Sequence, residues 1–333
     1  MARPVFLVNL SMALAGLAVC LWHAVGDRER VARLVTATVY GVLLEQLVIL
    51  RFERYVYSLS EFVLTVGEVP LVIGFGWGAI VYSGVELAET LGVGSRVRPL
   101  FVGLFGLHID VAIDAVAIRV PFWQWTPPGV WFGVPLGNFV GWFLVASLFP
   151  AAWSLLGARL SRADSRGVVG LREISGGGGL EASGEGRSEA SGDCPLGLVA
   201  SAAVAVGSCV ATILLAVGSC VATILLAVAG LIVGLELWEA VTPSLTAEVI
   251  VLGTTVTLSA VAVLRAGFEP STPDVRVTAV PVLYHVAYLG YFFWLGMYRE
   301  TPALLGVGLA MLALTALLHW SGAPRVRRLL PAG

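Results

Sequence analysis

The chain has 333 residues, of which 58% are apolar and only 13% charged, with a mean hydropathy of +0.90. Soluble domains carry about 25% charged residues, so this composition excludes a soluble enzyme, a secreted disulfide scaffold and a disordered chain. The net charge is −2 and every one of the 20 basic residues is arginine, which leaves no basic face for nucleic acid. The reading is an all-α, polytopic transmembrane helix bundle of about eight to nine spans.

Apolar segments fall near 4–25, 34–51, 62–84, 99–119, 134–157, 197–235, 244–264, 277–298 and 301–320. Each is long enough to cross a hydrocarbon core of about 30 Å as a helix. The first resembles a signal peptide, but its apolar run continues to Val25 and is followed by Arg28, Arg30 and Arg33, so it is read as an uncleaved span. The four cysteines, Cys20, Cys194, Cys209 and Cys220, have no CxxC or histidine spacing and are read as packing residues rather than metal ligands. No dinucleotide, haem or metal signature is present, so no cofactor is expected.

Residues 158–195 are rich in Gly, Ser and Glu, a composition that buries no core. They are read as a cytoplasmic linker between a five-helix half, 1–157, and a four-helix half, 196–333. Within the latter, AVGSCVATILL at 205–215 is repeated letter for letter at 216–226. Eleven residues make about three helical turns, so the copy lengthens a helix by about 16 Å and keeps its face. If 197–235 crosses once, 15 arginines share one side and 5 the other; two crossings give 11 against 9. Positive charge collects on the cytoplasmic side. A single crossing is therefore expected, with the N-terminus outside and the C-terminus cytoplasmic, in a multi-pass cell-membrane protein.

Ionisable groups within spans are costly and mark sites. Glu45 lies in the second segment, Glu68 in the third, and His108, Asp110 and Asp114 in the fourth, while Asn138 opens the fifth. Asp110 and Asp114 are one turn apart on one helical face. Their mutual repulsion in a low dielectric favours keeping a proton on one of them, as a general acid requires. The alternation of spans places Glu45, Glu68, Asp114 and Asn138 at one level of the outer half of the membrane. Aromatic residues accompany them: Trp77 and Tyr82 in the third segment, Trp123 and Trp125 in the following connection, and Trp142 one turn after Asn138. His285 shares a face with Tyr288 and Phe292 and is expected to border the same cavity.

The runs DVAIDAVA at 110–117, WQW at 123–125 and FGVPLGNFVGW at 132–142, with GEVPLVI at 67–73, Trp77 and Tyr82, resemble the integral-membrane carotenoid biosynthesis proteins of the bisanhydrobacterioruberin hydratase and carotenoid 1,2-hydratase type. The likeness is densest over about 40–157, and Ala115 stands where the family pattern has a proline. The resemblance implies addition of water to the terminal isoprenoid double bond of an acyclic carotenoid, with no cofactor. It assigns Asp110 or Asp114 as proton donor and Glu68 to orient water. Glu45, Asn138, Trp77, Tyr82, Trp123, Trp125, Trp142 and His285 would line the substrate site. Membrane lipid and the carotenoid are the expected partners, and association with other carotenoid biosynthesis enzymes is left open. A proton-coupled transporter and a carotenoid cyclase are the alternative readings.

Overall fold

The computed structural model describes residues 4–175, 195–269 and 271–320, with side chains over 4–156, 214–269 and 271–319. Its helices are α1 (Pro4–Ala24), α2 (Arg28–Phe52), α3 (Leu71–Thr90), α4 (Arg98–Ala117), α5 (Leu136–Ser175), α6 (Pro195–Val241), α7 (Leu245–Ala266), α8 (Val275–Trp294) and α9 (Pro302–Trp320). Among the described residues, these nine helices are each long and apolar enough to cross a membrane. Four short strands lie in the connections: β1 (Tyr55–Tyr57), β2 (Thr65–Val66), β3 (Val69–Pro70) and β4 (Trp123–Trp125). The chain is an all-α polytopic bundle.

Local sequence sets the helix ends. Asp27 caps α2 by accepting from the backbone N–H groups of Glu29 and Arg30 at 2.9 and 3.1 Å. Ser244 caps α7 and Asp274 caps α8 in the same way. Proline opens α4 at Pro99, where its missing N–H has no intrahelical partner to lose. With alanine at 115, α4 continues unbroken to Ala117.

Two compact units emerge: residues 1–152 with 224–333, and residues 153–223. In the first, α3 and α4 are the most enclosed helices, while α7 and α9 leave most of their surface open. Helix α8 packs on α1, α3 and α4, and α7 also packs on α4. Helices from both sides of the expected linker therefore build one core. In the second unit, α5 continues as helix to Ser175, beyond the expected start of the linker at 158. The Gly/Ser/Glu-rich run at 176–194 lies outside the described residues. Helix α6 is a single helix of 47 residues through both copies of the 11-residue repeat.

Ion pairs mark one end of the first unit. Arg33 donates to Glu86 at 2.7 Å, Glu89 at 3.0 Å and Glu29 at 3.1 Å, and Arg98 donates to Glu89 at 2.6 Å. This joins the start of α2, the end of α3 and the start of α4. The opposite end therefore gathers the end of α2, the start of α3 and the end of α4. It is there that the intramembrane carboxylates meet.

One segment departs from expectation. The third helix begins at Leu71 rather than near 62. Residues Val66 and Val69 pair across a two-residue turn, Gly67-Glu68, with Gly67 at φ +58°. Glycine at the first central position with a positive φ is what such hairpin turns require, and a Cβ there would collide with the Gln46 side chain.

Candidate active site

The site begins with α2. Gly41 gives Trp77 of α3 room to lie against the helix, and one turn further on, Glu45 meets the Trp77 indole. Trp77 Nε1 donates to Glu45 Oε1 at 2.7 Å. Two phenols complete its shell: Tyr55 Oη and Tyr57 Oη both donate to Glu45 Oε2, the latter at 2.9 Å. Both tyrosines come from β1, outside the helices. Burial, then the adjacent carboxylate, pushes both phenols well above the ordinary tyrosine range, so they keep the hydrogens they donate.

β1 is positioned by antiparallel pairing with β4, in the register Tyr55↔Trp125, Val56↔Gln124 and Tyr57↔Trp123. Side chains alternate along a strand. Hence the Tyr-x-Tyr and Trp-x-Trp runs present four aromatic groups on one face, and Val56 and Gln124 turn outward, both exposed. Tyr55 and Trp125 stack with ring centroids 4.8 Å apart, and Tyr57 meets Trp123 edge-on at 5.9 Å. Ser58 and Thr126 extend the ribbon by bonding to Phe122 and Arg54.

The second carboxylate group comes from α4. Asp110 is wholly buried and Asp114 is 2% exposed. Asn138, in the first turn of α5, spans them: its Nδ2 donates to Asp110 Oδ2 at 2.8 Å and to Asp114 Oδ2 at 3.1 Å. Trp125 Nε1 adds a longer bond to Asp114 Oδ2 at 3.3 Å. Asp110 Oδ1 is buried with no hydrogen-bond partner. The loop before α5 is pinned to α4 by Arg119, which donates to Ala115 O and Phe132 O at 2.7 and 2.9 Å. Trp131 Nε1 reaches Val111 O. Phe132 and Gly133 both take positive φ there, at 47° and 93°, which turns the chain into α5 and delivers Asn138 to the aspartates.

A cavity of about 660 Å³ lies among these groups, within the range of small-molecule sites. Glu45, Asp114 and Asn138 line it, with Trp77, Trp123, Trp125 and Trp142. Trp77 and Trp142 stack at 4.3 Å. Aliphatic residues such as Val72, Ile80, Val145 and Leu231 make the remaining wall, and Tyr284 and Tyr288 contribute from α8. Its exposed lining residues include Arg54, Pro128, Val130 and Glu239, so it opens at the connection end of the bundle. Arg54 and Glu239 pair across that rim at 2.9 Å.

Of the eleven sequence-selected residues, Glu45, Asp110, Asp114, Trp77, Trp123, Trp125, Asn138 and Trp142 come together here. Three do not. Glu68 is exposed in the hairpin turn, where its backbone N–H bonds to Gln46. It precedes α3 rather than lying in it, because hydropathy cannot distinguish the apolar hairpin at 63–70 from a helix. Tyr82 lies five residues beyond Trp77, which is about 7.5 Å along the helix and about 140° around it. It pairs instead with His23 at 2.8 Å, near the ion-pair end. His285 neighbours Tyr284 but points elsewhere: its ring lies 5.3 Å from that of His108, away from the cavity lining. Sequence reading missed Tyr55 and Tyr57, whose period-two spacing in a connection was the available signal.

Residues 4–169 match the model of a family described as carotenoid biosynthesis protein. No curated protein and no solved structure shows significant similarity to the chain.

Proposed function

We propose that this chain, which through residues 4–169 belongs to the carotenoid biosynthesis protein family, hydrates the terminal isoprenoid double bond of an acyclic carotenoid such as bisanhydrobacterioruberin. The observation that carries the reading is the carboxylate pair bridged by Asn138 at the wall of an aromatic cavity. Two buried carboxylates around one amide are most economically held with a proton between them.

Asp114 lines the cavity and Asp110 does not, so Asp114 is the donor that meets substrate and Asp110 the group behind it. Its proton adds to the less substituted alkene carbon, leaving a tertiary cation. The π-faces of Trp77, Trp125 and Trp142 favour that cation. Water forms the C–O bond and gives up one proton, so the net change is addition of one H2O. The chain needs no redox partner for this balance.

Arginine distribution supports an N-terminus outside and a C-terminus in the cytoplasm. That arrangement puts the cavity in the outer half of the membrane. The test is expression in a host that accumulates lycopene or bisanhydrobacterioruberin. A pigment heavier by one or two waters supports the reading. An isomeric pigment points to cyclisation, and unchanged pigment with proton-linked solute uptake in vesicles points to transport.

A further inference from the structure

Hydration needs a base as well as an acid, and Glu68, the residue expected to handle water, is exposed outside the cavity. We propose that Glu45 is the catalytic base, which orients the attacking water and takes its proton; this rests on the hydratase reading above.

The two carboxylate sites differ in how many hydrogens point at each oxygen. Glu45 receives three, from Tyr55, Tyr57 and Trp77. Two fall on Oε2 and one on Oε1. The aspartate pair, with four oxygens, shares the Asn138 amide and the indoles of Trp125 and Trp123, and Asp110 Oδ1 has none. Donors favour the ionised form of the carboxylate they serve. Between the two sites, a single proton therefore belongs to the aspartates, and the anion to Glu45. Where titratable groups in one cavity have such contrasting surroundings, acid and base roles follow.

The remaining lone pair on Glu45 Oε1 is free to accept from a water in the cavity. That water is then held by an anion facing the same space as Asp114. In the step, Asp114 loses its proton to carbon, the water oxygen bonds to the cation, and the water's second proton moves to Glu45. Transfer from Glu45 back to the aspartates, through water in the cavity, restores the resting state.

Isotope exchange separates the two roles. Protonation that is not followed by water capture reverses by loss of a proton to Asp114, so in D2O the recovered alkene carries deuterium. E45Q is expected to lower alcohol formation about 10²-fold, the usual weight of a general base, while the recovered substrate still gains deuterium within about threefold of the wild-type rate. D114N is expected to lose both. Y57F removes one donor to Glu45 and is expected to lower the alcohol-to-exchange ratio without stopping exchange. Continued exchange also shows that the variant is folded. The assignment is overturned if E45Q hydrates at the wild-type rate. It is also overturned if E45Q loses both activities while Y57F keeps the wild-type ratio. A wild-type chain that neither hydrates nor exchanges defeats the hydratase reading itself.

Discussion

Tyr55 and Trp125 are cross-strand partners with rings 4.8 Å apart, yet they send their hydrogens to different carboxylates: Tyr55 to Glu45, Trp125 to Asp114. A single pair in a three-residue ribbon thus ties the α2 carboxylate to the α4 carboxylate. The spacing of the two carboxylate sites therefore depends on strand register and not only on helix packing. A slip of one residue would turn the two aromatic side chains of the slipping strand away from the cavity.

The two aspartates should separate in their effects. D114N is expected to lower carotenoid hydration by 10² to 10⁴-fold, the range for loss of a positioned acid. D110N is expected to cost less, because Asp110 acts through Asn138 and Asp114 without lining the cavity. Chromatography and mass spectrometry of the accumulated pigments measure both. Equal losses in the two variants would argue against Asp114 as the group that meets substrate.

Asn138 is a structural link as well as a polar group of the site. N138L leaves Asp110 Oδ2 without its donor and Asp114 with indole donors alone. An unsatisfied buried acceptor costs about 1–3 kcal/mol, so a lower unfolding temperature in detergent is expected together with lost activity. N138D, which brings a third carboxylate to the pair, should be at least as damaging. A variant as stable as wild type would show that the bridge contributes nothing to folding.

The hairpin before α3 separates backbone from side-chain requirements. E68A removes an exposed side chain, so activity is expected to stay within about twofold and stability within about 0.5 kcal/mol. G67V forces a β-branched residue into φ +58° and against Gln46, and should destabilise by roughly 1–3 kcal/mol. Thermal unfolding and pigment yield distinguish the two variants. Loss of activity in E68A would return Glu68 to the site.

Asp274 supplies a pH dependence at the opposite end of the bundle. Hydrogen bonds from Arg276 hold its carboxyl at about 2, below the ordinary 3.8. Because the folded value is the lower one, the stabilisation is complete above the ordinary carboxylate range and is lost as pH falls through about 2. D274N should therefore unfold at a lower temperature than wild type at neutral pH, with the gap constant down to about pH 4 and closing below it. A gap that closes near neutrality would contradict the cause given.

The repeat in α6 makes a deletion testable. Removing 205–215 takes out about three turns and rotates what precedes by only about 20°. The residues that line the cavity from this helix, Leu231, Leu235, Trp238 and Glu239, all lie after the repeat. Insertion and hydration are expected to persist, as measured by membrane yield and pigment. A larger rotation, such as deletion of two residues at 228–229, should disturb the cavity wall.

Much of this was legible before the fold was known, for one physical reason. Lipid penalises every charge, so Glu45, Asp110 and Asp114 stand out against their surroundings, and alternating spans fix which of them share a level. The same penalty says nothing about connections. Val63, Leu64, Val66 and Val69 read as span, yet they form a hairpin, and Glu68 was misplaced with them. Tyr82 lies in the expected helix but at another depth and on another face, where it pairs with His23. His285 was one residue off the cavity face, a turn of about 100°. Tyr55 and Tyr57 were overlooked because they lie between helices, where a three-residue strand leaves almost no pattern.

The ribbon of β1 and β4 has one more consequence. The helices supply the acceptors of the site, and the connections supply most of the side chains that donate to them. Such a centre is complete only while the ribbon is docked. Peeling it back needs a few strand hydrogen bonds to open and no helix to unwind, yet it strips donors from both carboxylates together. Both carboxylate sites thus depend on one short ribbon: their donor sets stand or fall together, although the carboxylates themselves sit on separate helices.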